Sequence, residues 1–231
     1  MRRTAIVCAG VFVALALACV VGPVIAGRLG LDGTTIDPQL GATRPDLAHW
    51  FGTDTLGRDL LVRVLLGGRI AIGVALVTTA FAVAIGVGYG AVAAYAGGRI
   101  DAAMMRIVDA LYGFPALVFV IVVMAVTGAR SLVALFALIG AISWLTLARI
   151  TRGQVLALRH GELAVAARAL GAGPARILAR HILPNALPSL IVLVALGIGG
   201  AILAETMVSF LGFGDPKAIS WGQLLYFNYE S

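Results

Sequence analysis

Charge is what this sequence has least of. Asp, Glu, Lys and Arg make up 12% of its 231 residues, about half the share of an ordinary soluble domain. Apolar residues fill 61% and the mean hydropathy is +1.02, which excludes a soluble globular fold. Lysine is nearly absent: Lys217, in Asp215-Pro216-Lys217-Ala218, stands alone. A phosphate-cradling GxxxxGK[ST] loop needs its lysine behind glycines and before a hydroxyl. Lys217 has neither, so this chain does not hydrolyse ATP by that route. Cysteine is limited to Cys8 and Cys19. On one continuous helix they stand ~16 Å apart, too far for a disulfide. The histidines, His49, His160 and His181, are dispersed, with no metal spacing and no GxSxG, HExxH or CxxC arrangement. Internal repeats of the kind that pair the halves of secondary carriers are missing as well.

What remains is a series of apolar runs. Met1-Arg2-Arg3 precedes an apolar stretch from Ala5 to Ala26, long enough at about 22 residues to cross a membrane. It reads as a retained first helix with its basic end in the cytoplasm, not as a cleaved leader. Residues 28–68 form a polar extracytoplasmic loop in which Thr53, Asp54 or Thr55 can cap a short surface helix. Trp50 and Phe51 in that loop suit the membrane interface. A second span runs from Ile70 to Tyr95 and carries Gly86, Gly88 and Gly90, small residues that permit close helix packing. Gly97-Gly98 ends it. Asp101 to Phe114 is amphipathic, with Asp109 placed to pair with Arg106 three residues before it. A third span opens at Phe114-Pro115 and ends near Thr127. Leu132–Leu147 is the fourth span and Ala186–Met207 the fifth. Glu205, near the end of that last run, either snorkels to the interface or makes a pathway or interhelical contact.

Four crossings from a cytoplasmic start return the chain to the cytoplasm at the one polar stretch between apolar runs, residues 149–185. Arg149, Arg152, Arg159, Arg168, Arg176 and Arg180 lie there against a single acid, Glu162. The formal charge of +6 therefore reflects membrane topology rather than nucleic-acid binding. Leu163, Ala166, Ala167, Leu170, Pro174, Ile177 and Leu178 recur at helical steps and predict one apolar face. Gly171 and Gly173 interrupt the pattern, Pro174 suits the first turn of a new helix, and Pro184 is expected to stop it. The reading is helix, sharp turn, helix, with a small-residue face fit for docking in another protein's groove.

Ala166-Ala167, Gly171 and Ile182-Leu183-Pro184 resemble the cytoplasmic loop of ABC-importer permeases, and AARALGAG…RHILPNALP resembles its dipeptide and oligopeptide branch. The family's name-giving Glu is Val165 here, and His181 stands in its Ile column. FGTDTLGRD with LLVRVLLGGR, and AILAE…SFLGFG…SWG, resemble the same branch, in the same order. The resemblance implies an all-α membrane protein with a type I ABC-importer permease core. Five spans are visible and a sixth is expected after residue 231. Its parts would be an N-terminal transmembrane helix (1–27), the extracytoplasmic loop (28–68), the transmembrane core (69–207) with the coupling loop (149–185), and an extracytoplasmic segment (208–231). The implied function is ATP-driven import of di- or oligopeptides across a prokaryotic cytoplasmic membrane, the N-terminus being cytoplasmic. Nickel or another small solute is the alternative within the family, and a proton-coupled carrier the alternative outside it. The implied coupling residues are Glu162, Leu163, Ala166, Ala167, Arg168, Gly171, Ala172 and Gly173, with Glu205 the candidate pathway or interhelical contact. Expected partners are a second homologous permease, two ATP-binding subunits, an extracytoplasmic solute-binding protein and membrane lipid, but no nucleic acid. ATP and Mg2+ would be used by those subunits; this chain would bind no cofactor or metal.

Overall fold

The computed structural model describes residues 2–31 and 33–229. Met1, Asp32, Glu230 and Ser231, and the expected crossing after residue 231, lie outside them. The regular elements are helices: α1 (Arg2–Arg28), α2 (Leu60–Ala96), α3 (Gly98–Tyr112), α4 (Ala116–Thr127), α5 (Leu132–Leu158), α6 (Glu162–Ala169), α7 (Pro174–Ile177), α8 (Leu183–Phe210) and α9 (Trp221–Tyr229). Helix is what such a composition demands, since a segment in lipid must satisfy every backbone N–H and C=O within itself. Among the described residues, four stretches are long and apolar enough to cross a membrane, or five if the bent pair α3 and α4 counts as one.

Several boundaries differ from the sequence reading, each for a local reason. α2 runs unbroken for 37 residues, absorbing the short surface helix expected before residue 70. Its Gly67 and Gly68 do not break it, because they are contact points. A Cβ on Gly67 would meet the Trp221 ring at 2.6 Å, and one on Gly68 would strike the Cys19 thiol. α4 has only 12 residues, ~18 Å of helix, and is too short to be a span alone. Pro115 and the Gly113-Phe114 turn bend it 71° from α3. α5 continues past Leu147 to Leu158, so Arg149 and Arg152 sit on a helix rather than in a loop.

Pro184 does not stop its helix. Pro174–Phe210 is one helical run, with a π-helical turn at Leu178–Ile182 immediately before that proline. A π turn moves each hydrogen bond one residue further along, which relieves the clash between a proline ring and the carbonyl four residues back. The Asn185 side-chain Nδ2 donates to the His181 carbonyl at 2.6 Å.

The chain divides into two compact units. One gathers Met1–Val74, Gly128–Leu132 and Ala204–Ser231. Its polar cap is built on Asp54, whose carboxylate takes the Arg58 guanidinium at 2.7–2.8 Å and the backbone amides of Leu56 and Arg58 at 3.0 Å. Buried Arg63 lies 3.6 Å from the same carboxylate and donates to the Gly33 carbonyl at 3.0 Å. The N-terminal cap of α2 is Asp59, which accepts from the Val62 amide at 2.9 Å, rather than Thr53, Asp54 or Thr55. The other unit holds Ala75–Thr127 and Val133–Leu203. There Gly86 and Gly90 let α2 lie directly on α5. A Cβ on Gly86 would meet the Trp144 carbonyl at 2.7 Å, and one on Gly90 would land on the Ala148 carbonyl.

Candidate functional site

At eight residues, α6 is too short to be stable in isolation. Glu162 in its first turn and Arg168 in its last match the helix dipole, an effect of a few tenths of a kcal/mol to about 1 kcal/mol each. What anchors it is burial of Ala164 and Ala167 against Ala91 and Ala94 of α2, Val155 of α5, Ile177 and Ile182. Alanine is the side chain that admits so close an approach.

The end of α6 is a Schellman turn. The Ala172 amide donates to the Ala167 carbonyl and the Gly171 amide to the Arg168 carbonyl, both at 3.0 Å. Such a turn places its exit residue in the left-handed region, and Gly171 has φ 80° there. Gly173 is extended, with φ −70° and ψ 159°, and Pro174 opens α7. Helix, tight turn and new helix follow the sequence pattern here. At the entry to the loop, the Arg159 guanidinium donates to the Ala94 carbonyl at 2.9 Å, placing a cation on the C-terminal end of α2.

The predicted docking residues do not share one face. Leu163, Ala166 and Leu170 point outward, with Leu163 62% and Leu170 88% exposed. Glu162, Arg168, Gly171 and Gly173 are exposed too. Ala167 is turned inward at 7% exposure, and Ala172 packs beside it. Ile177 is also buried. The three- and four-residue steps described two faces, one held by this chain and one left open. Val165, in the place of the motif Glu, is half exposed.

The structure makes pairs that sequence reasoning did not match. Asp109 takes Arg149 of α5 at 2.7 Å rather than Arg106, and Arg149 lies 4.3 Å from the centre of the Tyr112 ring. Asp101 takes Arg152 through two parallel bonds, 2.5 and 2.7 Å. The signal available was that carboxylates in so apolar a chain need partners. The partners were hidden because they lie 40 and 51 residues away.

Glu205, in the other unit, does not snorkel. It is fully buried and accepts from the Ser209 hydroxyl at 2.7 Å, and its Oε2 is unpaired. Gly214 and Gly222 close over that serine, where a Cβ on either would collide with it. The group is a buried polar knot of Glu205 with the hydroxyls of Ser209, Ser220 and Thr206. Among the described residues, no three His, Cys, Asp or Glu side chains converge as a metal site would require.

Comparison with known proteins bears on these features. Residues 84–227 match the family model for the binding-protein-dependent transport system inner membrane component. The dipeptide transport system permease protein DppC of Bacillus subtilis is 38% identical over 225 residues, 96% of this chain and 69% of that protein. The oligopeptide transport system permease protein OppC of Haemophilus influenzae is 44% identical over 178 residues, 77% of this chain and 57% of that protein. OppC of Escherichia coli K12 is 39% identical over 227 residues, 97% of this chain and 74% of that protein. This chain thus spans between 57% and 74% of the length of these curated relatives. A solved inward-facing structure of the MetNI methionine ABC transporter shares the fold, with a TM-score of 0.62 and 22% identity, over 71% of this chain and 79% of that one.

Proposed function

Since the chain belongs to the family of inner-membrane components of binding-protein-dependent transport systems, we propose that it is a membrane subunit of an ATP-driven importer of di- or oligopeptides. The observation that carries the coupling part of this reading is the mounting of α6. Its inward alanines fasten it to α2 and α5, while Leu163, Ala166 and Leu170 stand exposed on a short helix closed by a Schellman turn. Such an element suits insertion into a groove of an ATP-binding subunit. The peptide cargo is supported by the names of the relatives.

In this reading a second permease, two ATP-binding subunits and an external solute-binding protein complete the machine. ATP and Mg2+ are handled by the ATP-binding subunits, and this chain is not an enzyme. The basic stretch from Arg149 to Arg180 faces the cytoplasm, and so does the N-terminus. Nucleotide acts through α6 by differential binding: the docked geometry must be preferred in one state of the ATPases over the other, or no shift results. The coupling residues are Glu162, Leu163, Ala166, Arg168, Gly171 and Gly173 at the surface, with Ala167 and Ala172 as the inner support.

The test is isolation of the tagged chain from its native membranes in mild detergent, followed by mass spectrometry of what accompanies it. The recovered complex is then placed in vesicles, its solute-binding protein is added on the outer face, and labelled di-, tri- and tetra-alanine are offered. A second permease, ATP-binding subunits and ATP-dependent peptide uptake are expected. Recovery of the chain alone, in intact monodisperse particles, would sink the importer reading in favour of a carrier. An ATP-dependent complex that takes up nickel but no peptide would correct the cargo alone.

A further inference from the structure

The fork between Asp101 and Arg152 stands one helical turn from the place where α6 is fastened. Arg152 donates from Nε to Asp101 Oδ1 at 2.5 Å and from Nη2 to Oδ2 at 2.7 Å. Asp101 is 8% exposed. Three residues further along α5, Val155 is fully buried against Ala164 and Ala167 of α6. On the near side, α3 is seated by Met105 and Val108 against Leu145 and Ala148, and the Tyr89 hydroxyl donates to the Met104 carbonyl at 2.9 Å.

We propose that Asp101 and Arg152 are positioning residues for transport: their two-pronged ion pair makes α3 travel with the α5 end that carries α6. This rests on the importer reading above. A planar guanidinium held through two bonds fixes orientation as well as distance. Apolar packing seats α3 on α5, and the fork adds a directional two-point tie to that contact. α4 leaves α3 at a 71° bend, so a displacement of α3 re-aims α4 as well. A push on the exposed side of α6 therefore reaches a bent pair of helices through one side-chain fork. The second pair, Arg149 with Asp109, is largely exposed, at 43% and 64%, and exposed pairs contribute little. It is the internal control.

The experiment uses the isolated complex in vesicles with its solute-binding protein added outside and the labelled alanine peptide it imports, and reads peptide taken up per ATP hydrolysed. Asp101→Asn and Arg152→Gln are compared with Asp109→Asn and with the exchanged pair Asp101→Arg/Arg152→Asp. Expected is that both single variants still assemble and hydrolyse ATP, with uptake per ATP falling about 2- to 30-fold, the factor that ~0.5–2 kcal/mol of lost coupling produces. Asp109→Asn should change it less than about twofold, and the exchanged pair should recover at least half of the lost coupling. The proposal is overturned if the single variants keep the wild-type ratio. It is equally overturned if they fail to assemble, which would make the fork merely structural, or if the exchanged pair assembles without recovering coupling. Absence of ATP-dependent uptake by the wild-type complex would strike the importer reading instead.

Discussion

At the scale of single residues, Ala167 and Leu170 separate support from contact. Ala167→Arg forces a long cation into an alanine-sized gap among Ala91, Val155 and Ile177, and such overpacking costs about 1–3 kcal/mol before the charge is counted. The expected outcome is a lowered melting temperature of the detergent-solubilised chain. Leu170→Ala removes a side chain 88% exposed, so the melting temperature should hold while capture of ATP-binding subunits weakens. Equal destabilisation by both would contradict the two-faced helix. Asp54 makes a different kind of prediction. Burial pushes its carboxyl up, but the Arg58 side-chain bond, the two backbone amides and the Arg58 charge together hold it below the usual range. A depressed carboxylate contributes its stability fully above the unfolded value, about 3.9, and loses it as pH falls through the lower folded value. Proteolysis of residues 33–59 should therefore stay flat from neutral pH down to about 4 and rise only below it. Asp54→Asn should raise cleavage at neutral pH and flatten the acid limb.

At the scale of elements, the contact of α2 with α5 depends on absent side chains. Gly86→Leu or Gly90→Leu drives a Cβ into the α5 backbone, where neither partner can move without shifting a helix. Each is expected to lower the melting temperature by an amount corresponding to roughly 1–3 kcal/mol. Gly88, whose Cβ would meet nothing within 4 Å, should accept Ala with no loss. A thermal melt of the three variants side by side decides it, and a Gly88→Ala effect as large as the others would refute the packing. The same glycines were legible as a small-residue face in the sequence. Which neighbour they served was not, because a sequence shows spacing along a helix but not what lies opposite. Pro184 shows the converse: its effect depended on the hydrogen-bond register of the preceding turn, and a π turn is set by packing rather than by composition.

At the scale of the molecule, the spans differ in how much of their surface this chain covers. The most apolar window of α1 is 6% buried, against 39% for that of α2. α1 rests on α2 where Cys19 meets Gly68 and Gly22 meets Leu65. Cys8 is exposed and Cys19 buried, so N-ethylmaleimide should modify Cys8 in the native solubilised chain and reach Cys19 only after denaturation. Intact-mass measurement gives the count, and two rapid modifications would show that α1 is not seated as described.

Composition and periodicity determined that this chain is a multi-span helical membrane protein and that it carries no GxxxxGK[ST] loop, and local turn chemistry determined the helix-turn-helix at 162–177. These are short-range matters: a glycine in a left-handed turn or a 20-residue apolar run acts within a few turns of itself. Tertiary structure alone decided which face of α6 is buried, which arginines answer Asp101 and Asp109, and that Glu205 is enclosed rather than snorkelling. Those outcomes depend on pairs 40 and 51 residues apart, or on a loop folding back over a helix. Nothing in the spacing of one segment specifies what another segment will bring against it.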